Sequence, residues 1–405
     1  MRVAYISPPW LPVPPPAYGG SEVVIDRLAR GVQLAGHEVM LFATGDSSCP
    51  VDRRWSRQQA VPESIGDARV ELAQVIAAYT AVREWGADIV HDHTLIGPAY
   101  ARHCSRVPVV TTNHGPFTGE LSTIYRDAAQ SAAIVAISHA QAATAQDIPI
   151  ARVIHHGVDP MQYPMGAGDG GFVLFLGRMC ADKGVREAAL IARAAGARLL
   201  IAAKMREPNE RAYFASQVEP LLTDRIQFIG EVAGAVKAEL LGAAAALLNP
   251  IRWAEPFGLV MIEALACGTP VVSYPLGSAP EIVDDGRTGF IGQDQQEMIN
   301  RLGEVSTLDR QVCRRSVHER FSQQRMVNKH LDLYAQLLGT APTAPTARRV
   351  ARVVIAGQDR GGWAGDAGGR RWPGGDPHRG PAVKSPNGPA RDGGRFAAGP
   401  AVGNP

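Results

Sequence analysis

Short apolar runs rich in β-branched residues alternate along the chain with segments of helical period. The runs Arg2–Ser7, Glu38–Ala43, Ala87–His91, Val107–Thr112, Ala133–Ile137 and Arg152–His155 predict strands, each followed by a helix or loop. That order belongs to a parallel sheet with helices on its faces. The stretch Pro160–Gly171, rich in Gly, Pro and Met, interrupts the pattern and reads as an interdomain linker. Beyond it Phe172–Leu176, Arg198–Ala202, Arg225–Ile229, Ala245–Leu248 and Pro270–Ser273 restart the alternation. The expectation is α/β: two Rossmann-like, doubly wound domains, residues 1–160 and 171–319, facing each other across a cleft. Ligands of such sheets bind beyond the carboxyl ends of the strands, so the cleft is the expected site.

The pattern stops at Leu338. Residues 339–405 contain no leucine and no methionine but many Gly, Pro, Ala and Arg, a composition that cannot bury a core and predicts a disordered tail. Arg outnumbers Lys overall, which suggests GC-rich coding; the tail reads either as an alternative frame of such DNA or as a basic linker. Within 405 residues, 45% hydrophobic content is ample for two large cores. A net charge of +2 gives no electrostatic case for nucleic acid. Five scattered cysteines without a C-x-x-C pair argue against disulfides and zinc. The N-terminus is too short and proline-broken for a signal peptide, and no apolar run would span a bilayer, so a cytoplasmic protein is expected. Arg53, Arg54, Trp55 and Arg57 form a small basic-aromatic patch, read as a solvated loop with peripheral membrane contact as the alternative.

The chemistry concentrates in Glu255-Pro256-Phe257-Gly258-Leu259, which leads to Glu263. Pro256 and Gly258 mark a tight entry, Leu259 to Cys267 predicts a buried helix, and Gly268 ends it. The amides of Phe257, Gly258 and Leu259 would then point from a helix N-terminus toward an anion such as a diphosphate. A carboxylate can accept two adjacent hydroxyl protons, so Glu263 suits a ribose and Glu255 a sugar ring. Arg178 and Lys183, just past a strand, could neutralise a leaving diphosphate, although solvated loop charges are the commoner outcome. Gly19 and Gly20 in Tyr18-Gly19-Gly20-Ser21-Glu22 allow close backbone approach ahead of the helix Glu22–Leu34, which Ser21 could cap. His91 and His93 share one strand face but lack further ligands with metal spacing, so acceptor contact or polar packing is preferred and no metal site is expected. His114 ends the next strand, where an imidazole could bond a sugar hydroxyl.

At these residues the chain closely resembles the retaining glycosyltransferases of family 4, which have the GT-B fold and a Glu-x7-Glu donor motif. The resemblance runs from Met1 to about Leu338. It implies that Glu263 binds the nucleotide ribose, and that Glu255 with the amides of Phe257, Gly258 and Leu259 holds the donor sugar and its phosphates. It assigns Arg178 and Lys183 to the leaving group, His114 to the donor sugar, and the loop at Gly19 and Gly20 to closure over the phosphates. Ser138, beside His139, and His156 to Asp159 are further family-like positions, and Ser138 joins His91 and His93 on the acceptor side. The last helix, residues 320–338, is implied to cross back to the first domain. The proline-rich start and YGGSE resemble a bacterial branch that glycosylates natural products and cell envelopes. The implied activity is metal- and cofactor-independent transfer from a nucleotide-diphosphate sugar, a UDP-sugar ahead of a GDP-sugar, to a hydroxyl acceptor. The alternatives are a GT-B epimerase or phosphorylase, or a non-catalytic nucleotide-sugar-binding scaffold.

Truncation after Leu338 is expected to leave the melting temperature and nucleotide binding unchanged, because the tail has little apolar surface to contribute. A lower melting temperature for the truncated protein would show that the tail packs on the domains.

Overall fold

The computed structural model describes residues 1–340, and the expected tail lies outside them apart from its first two residues. The first sheet comprises β1 (Arg2–Ile6), β2 (Glu38–Phe42), β3 (Asp52–Arg54), β4 (Ile89–Asp92), β5 (Val109–Thr112), β6 (Ala132–Ala136) and β7 (Ile150–Val153), in the order 3-2-1-4-5-6-7. The second comprises β8 (Val173–Arg178), β9 (Leu199–Lys204), β10 (Ile226–Gly230), β11 (Leu247–Asn249), β12 (Val271–Ser273) and β13 (Gly289–Ile291), in the order 10-9-8-11-12-13. Every strand pairing within the two sheets is parallel. Each sheet reverses its winding beside its first strand, β1 or β8, and so opens a crevice at the carboxyl ends there. The fold is two Rossmann-like domains in the GT-B arrangement.

Two edge strands escaped the sequence pattern. β3 is Asp-Arg-Arg and β13 is Gly-Phe-Ile, each three residues long, so neither has an apolar period to read. Arg53 and Arg54 therefore lie in an edge strand instead of the expected loop, while Trp55 beyond them is half exposed. β8 runs two residues further than its apolar stretch, and Arg178 pairs in register with Lys204 of β9. Arg178 thus belongs to the sheet, not to the loop after it. The first helix begins at Gly20, with Gly19 as N-cap and no side-chain cap, so Ser21 lies inside the first turn and is not the cap.

The helix Gln323–Leu337 packs against the helix Gly20–Leu34 and buries Met326, Val327, Leu333 and Tyr334 in the core of the first sheet. The contact is close: a Cβ on Gly31 would lie 2.4 Å from Val327 Cγ2. Tyr334 has its hydroxyl 2.6 Å from His91 Nδ1 and 3.2 Å from the Tyr5 hydroxyl, all of them buried. On the other side Arg314 donates to the carbonyls of Pro160, Tyr163 and Ala266, tying the linker to the second sheet's helices.

Tyr334→Phe removes a hydroxyl that two buried polar groups share, and a buried group left unpaired costs about 1–3 kcal/mol. Urea unfolding is expected to show that loss at unchanged m-value, with nucleotide affinity intact.

Candidate active site

A cavity of about 400 Å³ lies between the carboxyl ends of the two sheets. On the second domain it is bounded by Lys183, by the segment Glu255–Val260 and by Glu263. On the first it is covered by the loop Pro15–Ser21 together with His114 and His156.

Two backbone positions shape the second-domain wall. Gly258 has φ +77° and serves as N-cap of the helix Leu259–Ala266, a left-handed turn that costs other residues 1 kcal/mol or more, roughly. It aims the helix N-terminus, with its positive dipole end, at the cavity. Gly184 has φ +73° and passes so close to the strand end that a Cβ would lie 1.9 Å from Pro250 O. Lys183 is thereby held beside Glu255.

Glu255 accepts bonds from Lys183 Nζ and, at 2.9 Å, from Trp253 Nε1, both on Oε2. Its other oxygen has no hydrogen-bond partner among the described residues. Glu263 is more heavily engaged. Oε1 accepts from the Tyr163 hydroxyl at 2.8 Å and from Arg27 at 3.4 Å, and Oε2 from Lys237 at 2.9 Å. Burial pushes this carboxyl up, but Lys237, Arg27 and the hydrogen bonds outweigh burial and hold it below the ordinary carboxylate value. A carboxylate offers about four acceptor positions, so three engaged donors leave about one. A diol would have to displace one of them.

The covering loop bridges the domains. Tyr18 donates its N–H to Glu231 Oε1 at 3.0 Å, and its hydroxyl lies near the Arg178 guanidinium. Gly20 approaches Leu259 from the opposite wall, its Cβ position 3.7 Å from Leu259 Cδ1. Arg178 itself does not line the cavity; it reaches it through Tyr18. Arg27, Tyr163, Lys237 and Trp253 carried no sequence signal for this site. Each lies far in the chain from the carboxylate it holds or, for Trp253, looks like an ordinary apolar residue.

The acceptor-side expectations divide. His93 bonds His114 through Nδ1···Nε2 at 3.0 Å, and His114 lines the cavity. His91 is fully buried between Tyr334 and Thr112 and does not line it. Its strand face is covered by the helix Gln323–Leu337, so its two nitrogens serve packing. Ser138 is also buried, and its Oγ caps the helix His139–Ala143 by accepting from Gln141 N at 2.9 Å. Among the described residues one trio could ligate a metal: His139, His155 and Glu281. There Glu281 of the second domain accepts from the backbone N–H groups of His139 and Ala140 and from His155 Nε2, at 2.6–2.9 Å, so its oxygens already close the domain seam.

Two family models match this chain: Glycosyltransferase Family 4 over residues 18–162 and Glycosyl transferases group 1 over residues 171–307. The chain belongs to the family 4 glycosyltransferases. It is 28% identical over 323 residues to a phosphatidyl-myo-inositol mannosyltransferase of Mycolicibacterium smegmatis, covering 71% of this chain and 80% of that one. An alpha-maltose-1-phosphate synthase of the same organism is 28% identical over 337 residues, covering 72% and 84%. Among solved structures, AviGT4, a glycosyltransferase involved in avilamycin A biosynthesis, superposes with a TM-score of 0.63 at 26% identity, over 84% of this chain and 99% of that one. The Anabaena HepE crystallised with UDP and glucose has the same fold, with a TM-score of 0.66 at 20% identity over 83% and 99%. This glycosyltransferase has no helix among its described residues long and apolar enough to cross a membrane.

Five imidazoles, the buried His330, His91, His93 and His156 and the partly buried His114, form a continuous stack with neighbouring ring centroids 4.2–5.4 Å apart. Burial lowers all five, to about 4 for His114 and His330, and repulsion from neighbouring imidazoles adds to it for His91, His93 and His156. The glycosyltransferase therefore folds with neutral imidazoles, while its unfolded chain takes up protons below pH ~6.5. Their contribution to stability is complete above that pH and is lost as the pH falls toward 4. Three buried carboxyls pull the opposite way, since burial raises Glu22 to about 7, Asp92 to about 6 and Glu71 above its ordinary value. Five groups oppose three, so the melting temperature is expected to fall between pH 6.5 and 4. Glu22→Gln, which removes one opposing pull, should steepen that fall in a pH series of thermal melts.

Proposed function

We propose that this glycosyltransferase is a retaining enzyme that moves a sugar from a nucleotide-diphosphate donor, UDP-linked ahead of GDP-linked, to a hydroxyl acceptor without a metal ion. The observation that carries the reading is the meeting in one cavity of Lys183, the helix N-terminus at Leu259 and two differently held carboxylates. Complexes of the Anabaena fold relative with UDP and with UDP-glucose support the donor class.

In this reading Glu263 receives the ribose by exchanging Lys237 or Arg27 for a sugar hydroxyl. The free oxygen of Glu255 accepts from the transferred sugar. The bond from the anomeric carbon to the phosphate oxygen breaks with its electron pair on the diphosphate. Lys183, the helix amides and Arg178 stabilise that charge. The acceptor oxygen bonds the anomeric carbon on the same face, and its proton passes to the departing phosphate oxygen. Anomeric configuration is retained without an enzyme nucleophile. Charge neutralisation by side chains and helix amides supports metal independence, and undiminished turnover in EDTA is the expected result. Donor hydrolysis without acceptor separates an enzyme from a binding scaffold.

Glu263→Gln should weaken nucleotide binding by about 1.5–3 kcal/mol, the range for a charge-assisted bond. A 2′-deoxyribose donor should lose affinity for the wild type and much less for Glu263→Gln; an equal penalty in both would remove Glu263 from the ribose. Arg178→Ala should depress kcat more than donor affinity, because the phosphate gains charge mainly in the transition state.

A further inference from the structure

His156 lies just past β7 and borders the cavity while only 4% exposed. Its ring stacks on His114 at 5.4 Å and meets the Phe257 ring edge-on at 5.1 Å, so it sits between the two walls of the site. The two ring nitrogens differ. Nδ1 is sealed in protein and bonded to nothing. Nε2 has no protein partner either, but it is not sealed, so it is the nitrogen the cavity can reach. Burial, together with its imidazole neighbours and Arg27, keeps the ring neutral with one N–H to place. A sealed N–H without an acceptor forfeits a full hydrogen bond to water, and a sealed ring lone pair forfeits less. The proton therefore belongs on Nε2, and His156 presents one neutral donor to the cavity.

We propose that His156 Nε2–H bonds a hydroxyl of the transferred sugar, making His156 a second sugar-reading imidazole beside His114. This rests on the donor-site reading above. The phosphates are matched by Lys183 and the helix N-terminus, which carry positive charge; a neutral donor wedged against Phe257 matches an uncharged hydroxyl. His114 cannot serve with the same atom, because its Nε2 is taken by His93. The two rings thus offer different nitrogens to neighbouring positions on one sugar ring.

The test is calorimetric titration of the full-length chain with UDP, UDP-glucose, GDP and GDP-mannose, comparing wild type with His156→Leu, His156→Asn and His156→Gln. Gln carries its amide nitrogen close to the Nε2 position and Asn carries its own close to Nδ1. The expected result is unchanged affinity for the parent nucleotide in every variant. The ratio of nucleotide-sugar to nucleotide affinity should fall about 3- to 10-fold in the Leu and Asn variants and stay within about twofold in Gln, as for loss of one neutral hydrogen bond. An unchanged ratio in the Leu variant, rescue by Asn in place of Gln, or a parallel loss of nucleotide affinity would each overturn the proposal. Thermal melts of the Asn and Gln variants, which keep a polar side chain, guard against misfolding of the Leu variant. If the wild type binds none of the four ligands, the donor-site reading fails, and the proposal with it.

Discussion

The buried carboxylate of Glu263 joins three separate parts of this molecule. It belongs to the helix Leu259–Ala266 of the second domain, yet its partners are Arg27 of the first domain's leading helix, Tyr163 of the linker and Lys237 of a neighbouring helix. An unpaired carboxylate at that depth would cost several kcal/mol, roughly, so the ion cluster and the relative placement of the two domains imply one another. Arg27 also bonds Tyr163 and the Gly157 carbonyl, which carries the constraint into the chain segment that leaves the first sheet.

That arrangement makes the ligand site and the domain seam one structure. The same carboxylate that holds the domains in register is the group proposed to meet the ribose, and a nucleotide that displaced Arg27 would rearrange a cross-domain contact. The covering loop repeats the theme through Tyr18, which bonds Glu231 of the opposite domain and lies near Arg178. Glu281 does so again through the backbone of His139 and Ala140 and the ring of His155. On that proposal, affinity for the donor and closure of the cleft draw on the same hydrogen-bonding capacity.

The histidine stack shows a second economy. Five imidazoles packed beside one another in an apolar surrounding can be tolerated only if they are neutral, and neutrality leaves each with one donor and one acceptor. His91 spends both on Thr112 and Tyr334 and becomes part of the core. His114 and His156 keep a nitrogen turned to the cavity. Residues of one type, at similar strand ends, are thus divided between packing and chemistry by what lies opposite them.

Much of this was legible before any coordinates. Apolar runs at strand spacing determined the two parallel sheets, since such a strand is buried on both faces and must be apolar throughout. Pro256, Gly258 and the apolar run to Cys267 determined a helix starting beside Glu255, because turn residues act through local backbone geometry. β3 and β13 were not legible, being too short and, for β3, too polar to show a period; their partners alone hold them in the sheets. Nor could the chain show that Ser138 caps a helix, that His91 is shut away under residues 323–337, or that Arg27, Tyr163 and Lys237 converge on Glu263. Backbone conformation is set by neighbours in sequence, whereas the role of a polar side chain depends on which distant group arrives to pair with it, and only the tertiary structure decides that.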